Sequence, residues 1–201
     1  MTVGRRFFFF AALSAALWLL LVPLYYAGFA WTEFVPGANW VYLPHGLRIV
    51  LVLLFGLAGA IGFAAGAAVL GLTILSLPTL SVSLNLMLAT VPAVVAWLAV
   101  RWTVKDCPGW HIALSQVTRL QALDGRRLLL LAMVSAVLNA AGHALIWGIW
   151  APEIAPAQER FFVMWVGDFL GALLLLYMLR GAALLVLKLS NRLKWYGDSA
   201  H

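Results

Sequence analysis

Apolar residues in this chain come in long runs, not in the strict alternation of a half-buried strand, and short polar connections separate the runs. Runs of about 20 residues fit α-helices that cross a bilayer, whereas a barrel strand would show about ten residues of alternating pattern. The pattern predicts an all-α fold, a single membrane domain over residues 1–201 with spans at roughly 7–30, 44–57, 59–77, 81–103, 127–150 and 160–187. The second span is short. Gly56, Gly59, Gly62 and Gly66, around its boundary with the third, allow either a tight turn between two helices or one long bent helix. The first run, "FFFFAALSAALWLLLVPLYYAGFA", is long enough to span and lacks a small-residue cleavage site, so it reads as an uncleaved span, not a signal peptide.

Composition agrees with this picture. The chain is 65% hydrophobic and only 10% charged, with a mean hydropathy of +1.00, so most of it prefers lipid to water. Its Trp and Phe residues suit interfacial belts and lipid-facing surfaces.

Charge then sets an orientation, because cytoplasmic loops retain Lys and Arg. Arg5 and Arg6 precede the first span, Arg101, Lys105, Arg119, Arg126 and Arg127 follow the fourth, and Arg180, Lys188, Arg192 and Lys194 lie at the end of the last. The other two connections, "WTEFVPGANWVYLP" and "APEIAPAQER", contain Glu33, Glu153 and Glu159 with a single Arg160. Six spans place the three basic segments inside and the two acidic ones outside, with both termini cytoplasmic. The net charge of +6 is thereby assigned to topology and anionic lipid, and a nucleic-acid partner has no support beyond it. The connector at 104–126 has Ala113, Val117 and Leu120 on one helical face, which suits an interfacial helix that lies on lipid or docks a cytoplasmic partner. Its single cysteine, Cys107, can form neither a disulfide nor a thiolate metal site within one chain.

Apart from the arginines already assigned to the connections and span ends, four ionisable side chains fall at or inside the span limits: His45, Arg48, His143 and Asp168. Such groups are costly in lipid and face the bundle interior, which makes them functional candidates. At ~1.5 Å per residue, His45 lies at the rim, Arg48 about 6 Å in, His143 about 10 Å in and Asp168 about 12 Å in, all in the outer half. Arg48 and Asp168 are expected to form an ion pair that either locks helices together or centres an externally open pocket. His143 is expected to tune it, His45 to stand at its rim, and Trp40 and Trp165 to wall it. Pro44 suits the first turn of a helix, whose N-terminus would favour an anion near His45 and Arg48. Gly62 with Gly66, and Gly167 with Gly171, are small-xxx-small pairs and read as close-packing faces. Asn85 and Asn139 read as interhelical hydrogen-bonding groups. Paired carboxylates, metal-ligand spacing, a nucleophile arrangement and a phosphate-binding loop are all missing from the sequence pattern, so no cofactor, metal or enzymatic activity is expected. The alternative is a membrane-embedded active site built from Asp168, His143 and Arg48.

Two stretches, "NWVYLPHGLRIVLVLLFGLAGAIGFAAG" and "MWVGDFLGALLLLYML", resemble the MASE1 family, a bacterial membrane-associated sensor domain. The first carries the family's pattern on Trp40, Pro44, Gly46 and Gly56, and the second on Trp165, Gly167, Asp168 and Gly171. "RLLLLAMVSAVLNAAG" is similar to the family's penultimate span. The resemblance implies a sensor in the bacterial cytoplasmic membrane. The family usually has eight or so spans fused to a diguanylate cyclase or histidine kinase, whereas here only a few polar residues follow the last span. The expectation is therefore a sensor-like module that recognises a small ligand or ion on its outer face and couples to a signalling output protein. Two alternatives stand beside it. One is the membrane substrate-binding subunit of a small-solute transporter with a separate ATPase, and the other an accessory subunit of a larger complex. A homo-oligomer is compatible with each.

Overall fold

The computed structural model describes residues 3–35, 37–73, 82–103, 124–150 and 157–198. Within them the chain is helical apart from one short hairpin. Helix α1 (Val3–Phe29) ends in a 3-10 turn (Ala30–Thr32), and an antiparallel pair follows, β1 (Glu33–Val35) with β2 (Ala38–Asn39). Then come α2 (Leu43–Thr73), α3 (Val82–Thr103), α4 (Gly125–Trp150) and α5 (Ala157–Asp198). All five helices are long and apolar enough to cross a membrane. In lipid a helix is the one way for a single segment to satisfy its own backbone, which is why these apolar runs take that form. The predicted interfacial helix and Cys107 fall in 104–123, outside the described residues.

Helix α2 answers the question its glycines raise. Gly56 has φ 59° and ψ −134°, a conformation closed to L side chains, and there the helix folds back on itself. Gly59 lies so close to the Leu51 carbonyl that a Cβ would overlap it, although eight residues of straight helix span about 12 Å. Both limbs run along α1. Phe55 stacks on Phe10 at 4.9 Å, Gly62 packs on Ala11 and Ser14, Gly66 packs on Ala15 and Trp18, and Phe63 meets the Trp18 ring at 5.4 Å. The first limb, residues 43–55, is about 20 Å long, shorter than the ~30 Å hydrocarbon layer.

The segment before α2 makes up the difference by entering the bundle. Gly167 and Gly171 of α5 have no side chains in the way, so the Asn39 and Tyr42 carbonyls rest where their Cβ atoms would be. Gly167 stands ten residues beyond Ala157, about 15 Å along the helix. Non-helical backbone at that position must be satisfied by protein. Tyr42 N–H donates to the Gly167 carbonyl at 2.9 Å, Trp40 N–H to Thr32 at 2.9 Å, and the Tyr25 hydroxyl to the Val41 carbonyl at 2.6 Å. The Gly167 and Gly171 pair thus seats a loop, whereas the Gly62 and Gly66 pair packs against a helix as its spacing suggests.

The apolar core lies around α2, with Ile49, Leu51, Phe63, Ala96, Leu131 and Leu176 among its fully enclosed side chains. Alanines 89, 93, 96 and 99 form a small-residue stripe on α3, and Ala132, Ala136 and Ala140 another on α4. Large apolar side chains such as Phe8, Leu24, Leu145 and Met178 point outward, as lipid-facing residues do.

Candidate functional site

A cavity of about 460 Å³ opens at the hairpin end of the bundle. It is bordered by the last turns of α1 and α4, the first turns of α3 and α5, both limbs of α2 and the hairpin. Its walls are largely apolar, with Val22, Leu70, Leu88 and Ala89 contributing, and its polar groups are few and mostly buried. This is the usual composition of a small-molecule site.

Arg48, His143 and Asp168, expected at similar depths, all line it. Their pairing is different from the one expected. Asp168 Oδ2 accepts a 2.6 Å hydrogen bond from Asn139 Nδ2 and lies 3.4 Å from His45 Nδ1. That second contact is long and off-axis, electrostatic in character without being a formed hydrogen bond. Among the described residues no acidic oxygen lies within 4.0 Å of Arg48. Its guanidinium sits instead over the Trp18 and Tyr42 rings, at 5.1 and 5.3 Å from their centroids, and donates through Nη2 to the Tyr42 hydroxyl at 3.5 Å. The Tyr42 hydroxyl meets Arg48 as a hydrogen-bond acceptor, not as a counter-ion. The expected ion pair fails because α2 begins well inside the bundle. His45, placed at the rim by counting, reaches Ser135 near the middle of α4.

His45 itself is enclosed and stands behind Asp168, outside the cavity lining. With Nδ1–H toward the carboxylate, Nε2 accepts from the Ser135 hydroxyl at 3.0 Å. Hydroxyl, imidazole and carboxylate follow the order of a nucleophilic triad. Ser135, however, is completely buried and does not line the cavity, so its hydroxyl acts as a tie between α2 and α4. His143 donates Nδ1–H to the Asn139 carbonyl one turn back at 3.0 Å, leaving Nε2 for the cavity.

Trp40 and Trp165 lie outside the lining. Trp40 is 43% exposed and meets Phe34 and Phe162 edge-on, and Trp165 packs on Phe161 and Phe162. The aromatic walls are Trp18, Tyr26, Tyr42 and Trp147. Asn39, from the hairpin, is the polar lining residue that span-based reading passes over, because loop asparagines are ordinary. Ser135 gives no pattern either. Asn139 and Asn85, read as interhelical groups, both line the cavity, and Asn139 also performs its interhelical role through Asp168. Behind the wall, Arg160 is 1% exposed with its guanidinium 4.4 Å from the Trp147 ring centroid.

Several lining groups have hydrogen-bonding capacity that the described protein atoms leave unused. Arg48 Nε and Nη1, both side-chain heteroatoms of Asn39, Asn139 Oδ1 and Trp18 Nε1 are buried without a hydrogen-bond partner. Groups of cysteine, histidine and carboxylate that could hold a metal ion do not occur among the described residues. No family model, curated protein or solved structure matches the chain.

Proposed function

We propose that the chain is a sensor-like membrane module that binds a small ligand from the outer side of the bacterial cytoplasmic membrane and couples occupancy to a partner protein, as the MASE1 resemblance implies. The observation that carries this reading is a mainly apolar cavity, open at the hairpin end, whose lining residues Trp18, Asn39, Arg48 and Asn139 carry buried polar atoms without a hydrogen-bond partner among the described residues. Leaving such groups unsatisfied costs ~1–3 kcal/mol each, a cost that a ligand's own polar groups would offset. For orientation, Arg5, Arg6, Arg101, Arg126 and Arg127 lie at the helix ends away from the cavity, which supports six passes with both termini cytoplasmic.

A transport reading has one observation in its favour. A helix that begins inside the bundle after irregular backbone, next to a cavity, is how many secondary transporters hold substrate.

The test is mild-detergent purification of the tagged full chain, with mass spectrometry of retained small molecules and co-eluting proteins. Expected is a small molecule retained by the wild type and lost from Asp168→Asn at unchanged yield, together with a kinase, cyclase or regulator. An ATPase pair would move the assignment to transport. Loss of folded protein in Asp168→Asn, with nothing retained by the wild type, would make the polar cluster purely architectural.

A further inference from the structure

Arg48 and Asp168 face one cavity with opposite charges, and neither neutralises the other by contact. Arg48 is 7% exposed and its Nε and Nη1 are unpartnered, while Trp18 and Tyr42 fix the plane of the guanidinium. Asp168 is 1% exposed, and among the described residues both of its polar contacts reach Oδ2, none Oδ1. Each charged residue lines the same cavity, and each has hydrogen-bonding capacity that the described residues leave unused.

Charge balance then restricts the occupant. Arg160, packed on the Trp147 ring, stands off the lining, and the two charges on the buried lining itself, a guanidinium and a carboxylate, sum to zero, so a ligand of one sign satisfies one group and leaves a net charge buried. A ligand with both signs pairs each group and leaves the total at zero. Glu33, also on the lining, is exposed at the mouth and already accepts the Gly37 N–H at 2.9 Å, so water screens it. The remaining surface, with Val22, Leu70, Leu88 and Ala89, suits an apolar body, and the volume leaves room for an aromatic one.

We propose that the cavity takes a small zwitterion of the apolar amino-acid type, its carboxylate on Arg48 and its ammonium on Asp168. The unpaired Asn39 amide and Asn139 Oδ1 supply a further donor and acceptor beside the two charges. The proposal rests on the ligand-binding reading given above and narrows it to one chemical class.

Three probes of nearly equal size test it on the full chain in lipid nanodiscs, by calorimetry or by quenching of tryptophan fluorescence. They are phenylalanine, 3-phenylpropanoate, which lacks the amine, and 2-phenylethylamine, which lacks the carboxylate. Phenylalanine is expected to bind at least tenfold more tightly than either analogue. Arg48→Gln should bring phenylalanine down to the level of the amine, and Asp168→Asn to the level of the carboxylate. Should either variant fail to fold, the wild-type comparison alone decides. If one analogue binds as well as phenylalanine, the zwitterion assignment falls while the cavity stands as a ligand site. If none of the three binds, the assignment falls too, and the mass-spectrometric search for a retained molecule then decides the broader reading separately.

Discussion

The Asp168 carboxylate is held in place by one short hydrogen bond, from Asn139, and one longer electrostatic contact, from His45. Asn139→Leu removes the hydrogen bond and leaves a buried carboxylate oxygen short of a donor. A cost of about 1–3 kcal/mol is expected, read as a lower thermal unfolding midpoint of the detergent-solubilised protein. An unchanged midpoint would mean that His45 alone holds the carboxylate. At this scale the sequence is informative about which charged groups lie within the apolar spans around the cavity. Ionisable side chains inside apolar runs are rare enough for Arg48, His143 and Asp168 to stand out. It was uninformative about who meets whom. Counting residues from the rim assumes that every span starts there, and α2 does not, so His45 takes the place beside Asp168 that was expected of Arg48. A lone serine in a helix or an asparagine in a loop, such as Ser135 or Asn39, has no periodic signature at all.

Among the elements, the hairpin and α5 form the most constrained contact. Gly167 and Gly181 lie in the same helix, yet a Cβ on Gly167 would overlap the Asn39 carbonyl, whereas nothing lies within 4 Å of one on Gly181. Gly167→Ala is therefore expected to destabilise by about 1–3 kcal/mol through overpacking. Gly181→Ala should be neutral or stabilising by up to ~1 kcal/mol, since alanine is the better helix former. Matched thermal melts of the two variants check this, and equal midpoints would mean that the hairpin is not seated on α5. The helices themselves were legible, because runs of apolar residues leave the backbone no other choice in lipid. The sequence leaves the fold-back in α2 undecided because its glycines serve both outcomes equally, and the backbone angles of Gly56 separate them.

For the whole molecule, the proposed six passes put Glu159 and Gly4 on opposite sides of the membrane. With Cys107 replaced by serine, a membrane-impermeant maleimide applied to intact spheroplasts should label Glu159→Cys and spare Gly4→Cys until the cells are opened. Labelling of both, or of Gly4→Cys alone, would overturn the orientation. The seat of the hairpin on α5 bears also on biogenesis. The ribosome delivers residues 33–42 together with α1 and α2, long before it delivers Gly167. Until the last helix has entered the bilayer, the Tyr42 amide lacks the carbonyl it donates to, and the cavity lacks one wall. A nascent chain stalled between α4 and α5 would hold most of the lining residues and still lack the wall that α5 supplies, so the proposed ligand binding would report that α5 has inserted.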